Sequence, residues 1–368
     1  MTETMTYAGT GVNYAELDPF KVAAQKAAAE TAKSLTRFGA ESYEPSRGES
    51  CYLVRNGDHY LAHVEEGLGT KNLAADLYDD LVDRCSYASI AQCTVAMIVN
   101  DMITVGALPL SVAMHLAVGD SAWFKNERRV QELIKGWALA CRMIGASWGG
   151  GETPTLKGVI VPGTVVLSGS AIGRTRNLKI IDSSRILEGD AIVIFRSSGI
   201  HANGLTLARE IATKLPDGYK TRLPDGMEYG NALLKPTHLY VRAVESCMNR
   251  GIDIHYAVNI TGHGWHKLMR ANGNFTYVIE KLPRPLPVFD CIQEYGPVDD
   301  REAFGNLNMG AGFAIYIPRS HVSAVEALAR EEGWPFDVFN AGHIESGDRS
   351  VVIEPKKLEY KAETLAVR

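Results

Sequence analysis

The sequence lacks the features that mark several large classes of protein. Its 368 residues carry 38 Lys and Arg against 43 Asp and Glu, a formal net charge of −5, so the basic excess of a dedicated nucleic-acid binder is absent. No apolar run reaches the roughly 18 residues of a membrane span. The first residues show no basic start followed by an apolar block, so no signal peptide is predicted. We therefore expect a cytoplasmic protein that binds neither nucleic acid nor membrane.

Cysteine pairs and repeats are missing as well. The 6 cysteines are scattered, without a CxxC spacing, which is typical of reduced thiols in a cytoplasm and excludes a secreted disulfide scaffold. We find no short-period repeat and no low-complexity segment. The chain is long for one hydrophobic core, so two domains of ordinary size are expected.

The better-known nucleotide and nucleophile motifs do not occur either. The run Gly67-Leu68-Gly69-Thr70-Lys71 superficially resembles a P-loop, but its spacing is not GxxxxGK[ST]. No GxGxxG follows a first strand, which argues against a dinucleotide fold. No catalytic cysteine pattern and no Gly-x-Ser-x-Gly elbow is present.

Local patterns predict strands and helices in both halves of the chain. Asp18 followed by proline predicts the start of a helix over 20–36. The almost wholly apolar stretch 87–105 predicts a buried helix, and 109–118 predicts a buried strand. The glycine-rich stretch 148–154 is expected to form a loop.

A polar, turn-like stretch over 174–190 separates these two halves. We expect an N-terminal domain over 1–175 and a C-terminal domain over 176–368. Because strands and helices mix in each half, the predicted fold class is α/β, with two mixed domains.

Glycine is what the sequence has in excess, with 35 residues. Glycine lets backbone amides approach an anion closely, and a following helix N-terminus adds a favourable dipole. One glycine turn is weak evidence for a ligand, but several in one chain favour phosphate binding. Five such motifs lie at strand-to-helix or loop positions: 67–71, 148–154, 197–204, 260–265 and 308–312.

Acidic residues next to these glycines indicate a metal. A magnesium ion that bridges nucleotide phosphates takes a few carboxylates among water and phosphate oxygens. Glu66, Asp101 and Glu152 are candidates for those carboxylates. A paired core acid at Asp101, a surface acid at Glu152, and Glu65 in place of Glu66 are the alternatives.

Two basic residues could act on the phosphates. Lys71 can pair with phosphate as a mobile point charge, or be an ordinary solvated lysine. His201 lies in Ser-Ser-Gly-Ile-His-Ala-Asn-Gly and could bind phosphate or move a proton, or be an ordinary loop histidine. The other histidines show no convincing metal-ligand spacing.

Taken in order, the motifs resemble those of the aminoimidazole ribonucleotide synthetases, the phosphoribosylformylglycinamidine cyclo-ligases of the PurM-like superfamily. The match extends over nearly the whole chain, and the histidine-containing motif points to the cyclo-ligase branch. The resemblance rests on Tyr7-Ala8-Gly9, Glu66 to Lys71, Ala96 to Asp101, Gly106 to Leu110, Gly150 to Thr153, Ser197 to Gly204, Pro236-Thr237 with Tyr240-Val241, Ile260 to Gly264 and Asn308 to Gly312.

This resemblance implies a fold and a reaction. The N-terminal domains of a homodimer would form a shared β-barrel with ATP nearby, and the C-terminal domain would be mixed α/β. ATP would phosphorylate the formyl oxygen of formylglycinamidine ribonucleotide, an internal amine would attack, and phosphate would leave. The product would be aminoimidazole ribonucleotide, a purine precursor, and Mg²⁺ would accompany ATP.

The resemblance also implies roles for individual residues. Catalysis would involve Lys71, Asp101 and His201. ATP would contact Gly67, Gly69, Thr70, Lys71, Asn100, Gly150 and Gly151. The substrate would contact Ser198, His201, Asn203, Thr261 and Gly262. Magnesium would be held by Glu66, Asp101 and Glu152.

Several positions depart from the family pattern. Glu66 replaces aspartate, and His263 replaces glycine. Cys93, Leu108 and Met114 stand where the common form has acids. These losses keep two alternatives open: an ATP-using enzyme of the same superfamily with another phosphorylated or acyl substrate, and a non-catalytic nucleotide-binding paralogue.

Overall fold

Two β-sheets organise the computed structural model, which describes residues 5–6, 8–11 and 13–365. The first sheet has the strand order β1-β2-β3-β6-β4-β5, and the second β13-β12-β9-β11-β7-β10-β8. The strands of the first sheet are β1 (Glu41–Ser42), β2 (Tyr52–Asn56), β3 (His59–Gly67), β4 (Leu108–Val118), β5 (Ser147–Glu152) and β6 (Val165–Arg174). Those of the second are β7 (Ala191–Arg196), β8 (Tyr256–Asn259), β9 (Phe275–Ile279), β10 (Ala311–Ile317), β11 (Val338–Ser346), β12 (Ser350–Ile353) and β13 (Leu358–Lys361).

Ten α-helices accompany the sheets within the described residues, together with short 3-10 segments. The mixed α/β fold class is confirmed. The predicted boundary after residue 175 falls between β6 and β7 and stays a prediction, and Tyr7 lies outside the described residues. The helices are α1 (Tyr14–Thr31), α2 (Lys71–Val82), α3 (Tyr87–Met102), α4 (Glu127–Ile144), α5 (Leu205–Ala212), α6 (Tyr229–Leu233), α7 (Val241–Asn249), α8 (Pro287–Tyr295), α9 (Asp300–Asn306) and α10 (Val322–Glu331).

The central element of the first half is α3, as the apolar stretch predicted. By length and composition alone, Tyr87–Val105 could cross a membrane, so the expectation that no segment reaches that length was wrong. Most of this segment is buried inside the protein. It packs against α4 so closely that a Cβ on Gly136 would lie 2.5 Å from the Cα of Ala88. The segment is therefore a core helix.

The first helix begins earlier than predicted. Asn13, and not Asp18, is its N-cap, because the Asn13 side chain accepts a hydrogen bond from the amide of Ala15 at 3.1 Å. Pro19 lies inside the helix, and the Asp18 side chain pairs with Lys21 at 3.2 Å instead. Because Asp18 does not cap the helix, its side chain can contact other elements of the fold.

The glycine-rich stretch 148–154 was predicted as a loop, and most of it is the edge strand β5. This strand runs parallel to β4, with Glu152 opposite His115. A Cβ on Gly149 would lie 2.1 Å from Ser111 Oγ, and one on Gly151 would lie 2.0 Å from the Met114 carbonyl oxygen. These glycines allow the two strands to approach, which explains their presence without a ligand.

Polar side chains along α3 join the two halves of the chain. Gln92 Nε2 donates to the Thr237 carbonyl at 2.9 Å. Asn100 Nδ2 donates to the His238 carbonyl at 2.9 Å, and its Oδ1 accepts from the Tyr240 amide at 3.0 Å. Because these polar groups are satisfied across the junction, α3 is held in a defined position against the segment 237–240 of the second half.

Candidate active site

A cavity of about 540 Å³ opens at this junction, within the size range typical of small-molecule sites. Both halves of the chain and the N-terminal helix contribute to its wall. It is lined by Phe20, Lys21, Ala24, Gln25, Gly48, Glu49, Glu66, Met97, Asp101, Asn203, Asn259, Thr261, Gly262, His263, Lys267, Arg270 and Leu365.

Two carboxylates meet in this cavity. Glu66 lies near the end of β3, and Asp101 lies in the last turn of α3. Asp101 is buried, and its Oδ1 accepts a hydrogen bond from Asn259 Nδ2 at 2.6 Å. Burial and, next, the Asp101 charge raise the pKa of Glu66 to about 7, against the opposing effect of Lys267. Glu66 can therefore exchange a proton near neutral pH.

Two cations balance these acids. Lys267 donates from Nζ to Thr261 Oγ1, and burial lowers the pKa of Lys267 to about 8, although Asp101 and Glu66 oppose that shift. Arg270 donates to Ser50 Oγ at 2.7 Å and to the Gly48 carbonyl at 2.8 Å. The cavity thus presents fixed positive charge beside its carboxylates.

His263, which replaces the usual glycine, also lines the cavity. Its backbone is left-handed, with φ of 66°, a conformation that costs a non-glycine residue energy. Its Nε2 lies 3.7 Å from Asp18 Oδ2 in α1. Burial and, next, the Lys267 charge lower the pKa of His263 to about 4, against the opposing effect of Asp18. The ring is therefore neutral at pH 7.

The structure brings together only some of the residues predicted for the site. Five of them line the cavity: Glu66, Asp101, Asn203, Thr261 and Gly262. Sequence reasoning missed Glu49, Asn259, Lys267 and Arg270. For Asn259, Lys267 and Arg270 the available signal was that they interrupt the otherwise apolar stretch 256–271. Polar and charged residues are rarely buried without a partner, so their presence in such a stretch indicates a site.

Lys71 does not line the cavity. It is fully buried at the start of α2, and its Nζ donates to the carbonyls of His201 at 2.7 Å and Lys235 at 2.8 Å. The ammonium therefore joins the first half of the chain to two loops of the second. These bonds give Lys71 a structural role, and its contact with an ATP phosphate stays a prediction.

His201, Ser198 and Asn100 are also engaged elsewhere. His201 is buried, its Nε2 accepts from the Ser198 amide at 3.2 Å, and burial lowers its pKa well below the usual value, with smaller contributions from His238 and Lys71. Ser198 Oγ donates to the Pro236 carbonyl at 2.6 Å. Both polar ends of the Asn100 amide bond the 238–240 backbone. These residues shape the loops around the cavity without lining it.

The predicted ATP glycines lie outside the cavity wall too. Gly67 ends β3, Gly69 has a left-handed φ of 72°, and Thr70 precedes α2, with its Oγ1 3.3 Å from Thr206 Oγ1. Gly150 and Gly151 are exposed on β5. Their contact with ATP stays a prediction.

The magnesium triad is not assembled in this chain. Glu152 is exposed on the edge strand β5 and does not line the cavity. Across residues 5–6, 8–11 and 13–365, no group of three His, Cys, Asp or Glu side chains could hold a metal. Lys267 lines the same cavity as the carboxylates. The described residues therefore form no three-acid magnesium site, and magnesium binding by Glu66 and Asp101 stays a prediction.

Three of the departures from the family pattern lie away from the cavity. Cys93 is fully buried in α3, and its Sγ accepts from the Thr237 amide at 3.3 Å. Leu108 and Met114 are partly buried in β4 and pack against the core. Their apolar side chains therefore support packing at these positions.

Comparison with known proteins agrees with this architecture. Residues 48–175 match the N-terminal domain of AIR synthase related proteins, and residues 188–354 match the C-terminal domain. A phosphoribosylformylglycinamidine cyclo-ligase from Symbiobacterium thermophilum is 33% identical over 347 residues, covering 90% of this chain and 94% of that protein. The protein of the same name from Methanocaldococcus jannaschii is 33% identical over 290 residues, covering 77% and 79%.

Solved structures share the fold at low sequence identity. A HypE–HypF complex matches with a TM-score of 0.60 at 16% identity, covering 85% of this chain and 92% of that chain. AaThiL complexed with AMPPCP and TMP matches with a TM-score of 0.56 at 16% identity, covering 85% and 90%. T. maritima PurL complexed with AMPPCP matches with a TM-score of 0.56 at 15% identity, covering 88% and 48%. With its two matched domains and relatives at 33% identity over most of their length, this chain belongs to the AIR synthase related family.

Proposed function

We propose that this protein is an ATP-dependent cyclo-ligase that converts formylglycinamidine ribonucleotide into aminoimidazole ribonucleotide, ADP and phosphate, a step of purine biosynthesis. The observation that carries the proposal is the cavity at the junction, which two acids, Glu66 and Asp101, and two cations, Lys267 and Arg270, line together. The cyclo-ligase name of the relatives at about one-third identity supports it.

The charges of the cavity suit both the phosphoryl transfer and the attack by the substrate nitrogen. The terminal phosphoryl group of ATP passes to the formyl oxygen and ADP leaves. Lys267 and Arg270 offer positive charge for the phosphoryl oxygens, where fixed charge stabilises a transition state well. The substrate nitrogen then attacks the formyl carbon, which carries the phosphorylated oxygen. The nitrogen loses its proton to a base, and phosphate departs from that carbon.

The carboxylates suit the step in which the substrate nitrogen attacks. An amidine carries positive charge near neutral pH, so Glu66 and Asp101 would orient it by charge. The pKa of Glu66, at about 7, supports a role in accepting the proton that the attacking nitrogen loses. No covalent protein intermediate is needed, because positioning and electrostatics lower the barrier.

Magnesium belongs to the substrate side of this proposal. The AMPPCP complexes of two proteins with the same fold support ATP as ligand, and Mg²⁺ would arrive bound to the ATP phosphates. Six free cysteines, five of them buried, are consistent with the cytoplasmic location that we propose.

The test is an assay of the purified chain with ATP, Mg²⁺ and formylglycinamidine ribonucleotide. We expect aminoimidazole ribonucleotide and ADP in equal amounts, and no ADP release without the substrate. ADP without that product would point to another substrate. If neither product forms, and ATP with Mg²⁺ leaves the melting temperature unchanged, the non-catalytic alternative would replace this proposal.

We also propose that the protein is a homodimer. The N-terminal domains over 1–175 would form the shared β-barrel, and the C-terminal domains over 176–368 would lie outside it. The outer face of the first sheet supports this, because Leu61, Leu110, Val166 and Ile172 are 40–57% exposed there. Such an apolar patch is typical of an interface.

Charge on that face should break the dimer. We expect Ile172→Asp to halve the mass measured by light scattering after size-exclusion chromatography. Leu187→Asp, equally exposed in the second half at 58%, is the control and should leave the mass unchanged. A wild-type chain that elutes as a monomer at all concentrations would contradict the dimer.

A further inference from the structure

The N-terminal helix α1 covers one side of the cavity without an apolar face beneath it. Four of its side chains line the cavity: Phe20, Lys21, Ala24 and Gln25. Among the α1 side chains that the structure describes, Asp18 alone is buried. A helix is ordinarily held to a fold by the packing of an apolar face. The position of α1 therefore depends on other contacts.

The apolar side chains of α1 are largely exposed to solvent. Phe20 is 77% exposed although it lines the cavity, and Leu17 and Val22 are about half exposed. Burial of apolar surface is the main force that fixes an element to a core, so these side chains contribute little to fixing α1. Elements with few buried apolar contacts open more readily than the core.

The buried acid of α1 meets a residue of the cavity wall in the other half of the chain. Asp18 Oδ2 lies 3.7 Å from His263 Nε2, and the two side chains are only 11% and 13% exposed. Asp18 also pairs with Lys21, but that ion pair lies within α1 and cannot hold the helix to another element. The contact with His263 is a link between α1 and the second half.

The backbone of His263 shows what its side chain adds. Its φ of 66° is left-handed, a conformation that glycine adopts without strain, and the family pattern has glycine here. A glycine would therefore serve the turn, and only the imidazole can reach Asp18. Strained backbone of this kind is often found where a side chain has a functional task.

We propose that His263 is a positioning residue that, through Asp18, holds α1 against the cavity and keeps Phe20, Lys21 and Gln25 in its wall. Without this link α1 moves away from the wall more often, and the cavity opens to solvent on that side. The effect on substrate binding rests on the cyclo-ligase function proposed above, whereas the effect on α1 does not.

The first experiment measures hydrogen–deuterium exchange of the full-length protein without ligand, by mass spectrometry of peptides. In His263→Gly and in Asp18→Ala, the amides of α1 should exchange about ten times faster than in the wild type, while those of α3 stay unchanged. The double variant should exchange no faster than either single variant, because both changes remove the same contact.

Two further variants serve as controls for the exchange experiment. His263→Gln retains an N–H donor at similar reach and should exchange as the wild type does, which separates the contact from the loss of a ring. Glu30→Ala removes an exposed acid from the same helix and should leave the exchange of α1 unchanged. Glycine suits the left-handed backbone, so His263→Gly should fold, and its melting temperature checks this.

The second experiment is steady-state kinetics in the cyclo-ligase assay. His263→Gly should raise KM about ten-fold and leave kcat within about two-fold, the pattern of lost binding that does not change between substrate and transition state. His263→Gln should restore the wild-type KM.

Unchanged exchange of α1 in a folded His263→Gly protein would overturn the proposal, and so would additive effects in the double variant. Faster exchange with an unchanged KM would overturn the role of α1 in the cavity wall. Because the exchange experiment needs no substrate, its failure is distinct from failure of the cyclo-ligase assay.

Discussion

Asp101→Asn should lower kcat/KM for the cyclo-ligase reaction by about 100-fold or more, the usual cost of removing one electrostatic group from a preorganised site. The change keeps the shape of the side chain and an oxygen that can still accept from Asn259, so the melting temperature should change little. What is lost is the negative charge in the cavity that would orient the amidine. Steady-state kinetics and thermal unfolding measure the two effects separately.

Asp80→Asn is the matched control for this experiment. Asp80 is an exposed acid on α2, and its neutralisation should leave both kcat/KM and stability unchanged. If Asp101→Asn has normal activity, the cavity at the junction is not the active site. If it unfolds, Asp101 is chiefly a structural acid of the core, which was the alternative in the sequence analysis.

Lys71→Met should lower the free energy of unfolding by about 3 kcal/mol, because two buried carbonyls each lose a hydrogen bond from a charged donor. The residues affected are His201 and Lys235, and the loop of His201 also contributes Asn203 to the cavity. Activity should fall as well, since Asn203 lies two residues beyond His201. Chemical denaturation and the cyclo-ligase assay measure these effects.

Lys235→Met is the control here, because it removes an ammonium from the same region but keeps the carbonyl that Lys71 bonds. It should retain nearly wild-type stability. A Lys71→Met protein that is as stable as the wild type but no longer binds ATP would instead support the phosphate role expected from the sequence. The two roles therefore predict opposite combinations of stability and nucleotide binding.

The motif order was sufficient to identify the family, and the periodic stretches were sufficient to predict the main elements. The apolar stretch around α3 and the strand after it are where their patterns placed them, because burial dominates there and is visible residue by residue. Glycine was harder to interpret. Gly149 and Gly151 permit the close approach of β5 to β4. The sequence cannot distinguish glycines required for that approach from the glycines of an anion-binding loop.

The sequence by itself determined the mixed α/β fold, the family, and two of the cavity acids, Glu66 and Asp101. Only the tertiary structure decided their neighbours: Lys267 and Arg270 line the cavity, while Lys71 and Glu152 do not. The physical reason is that a side chain's chemistry is local, whereas its partners depend on how distant segments pack. Lys71, bonded to two backbone carbonyls, and Lys267, which lines the cavity, are both lysine in the sequence, and only the fold assigns one to stability and the other to the cavity.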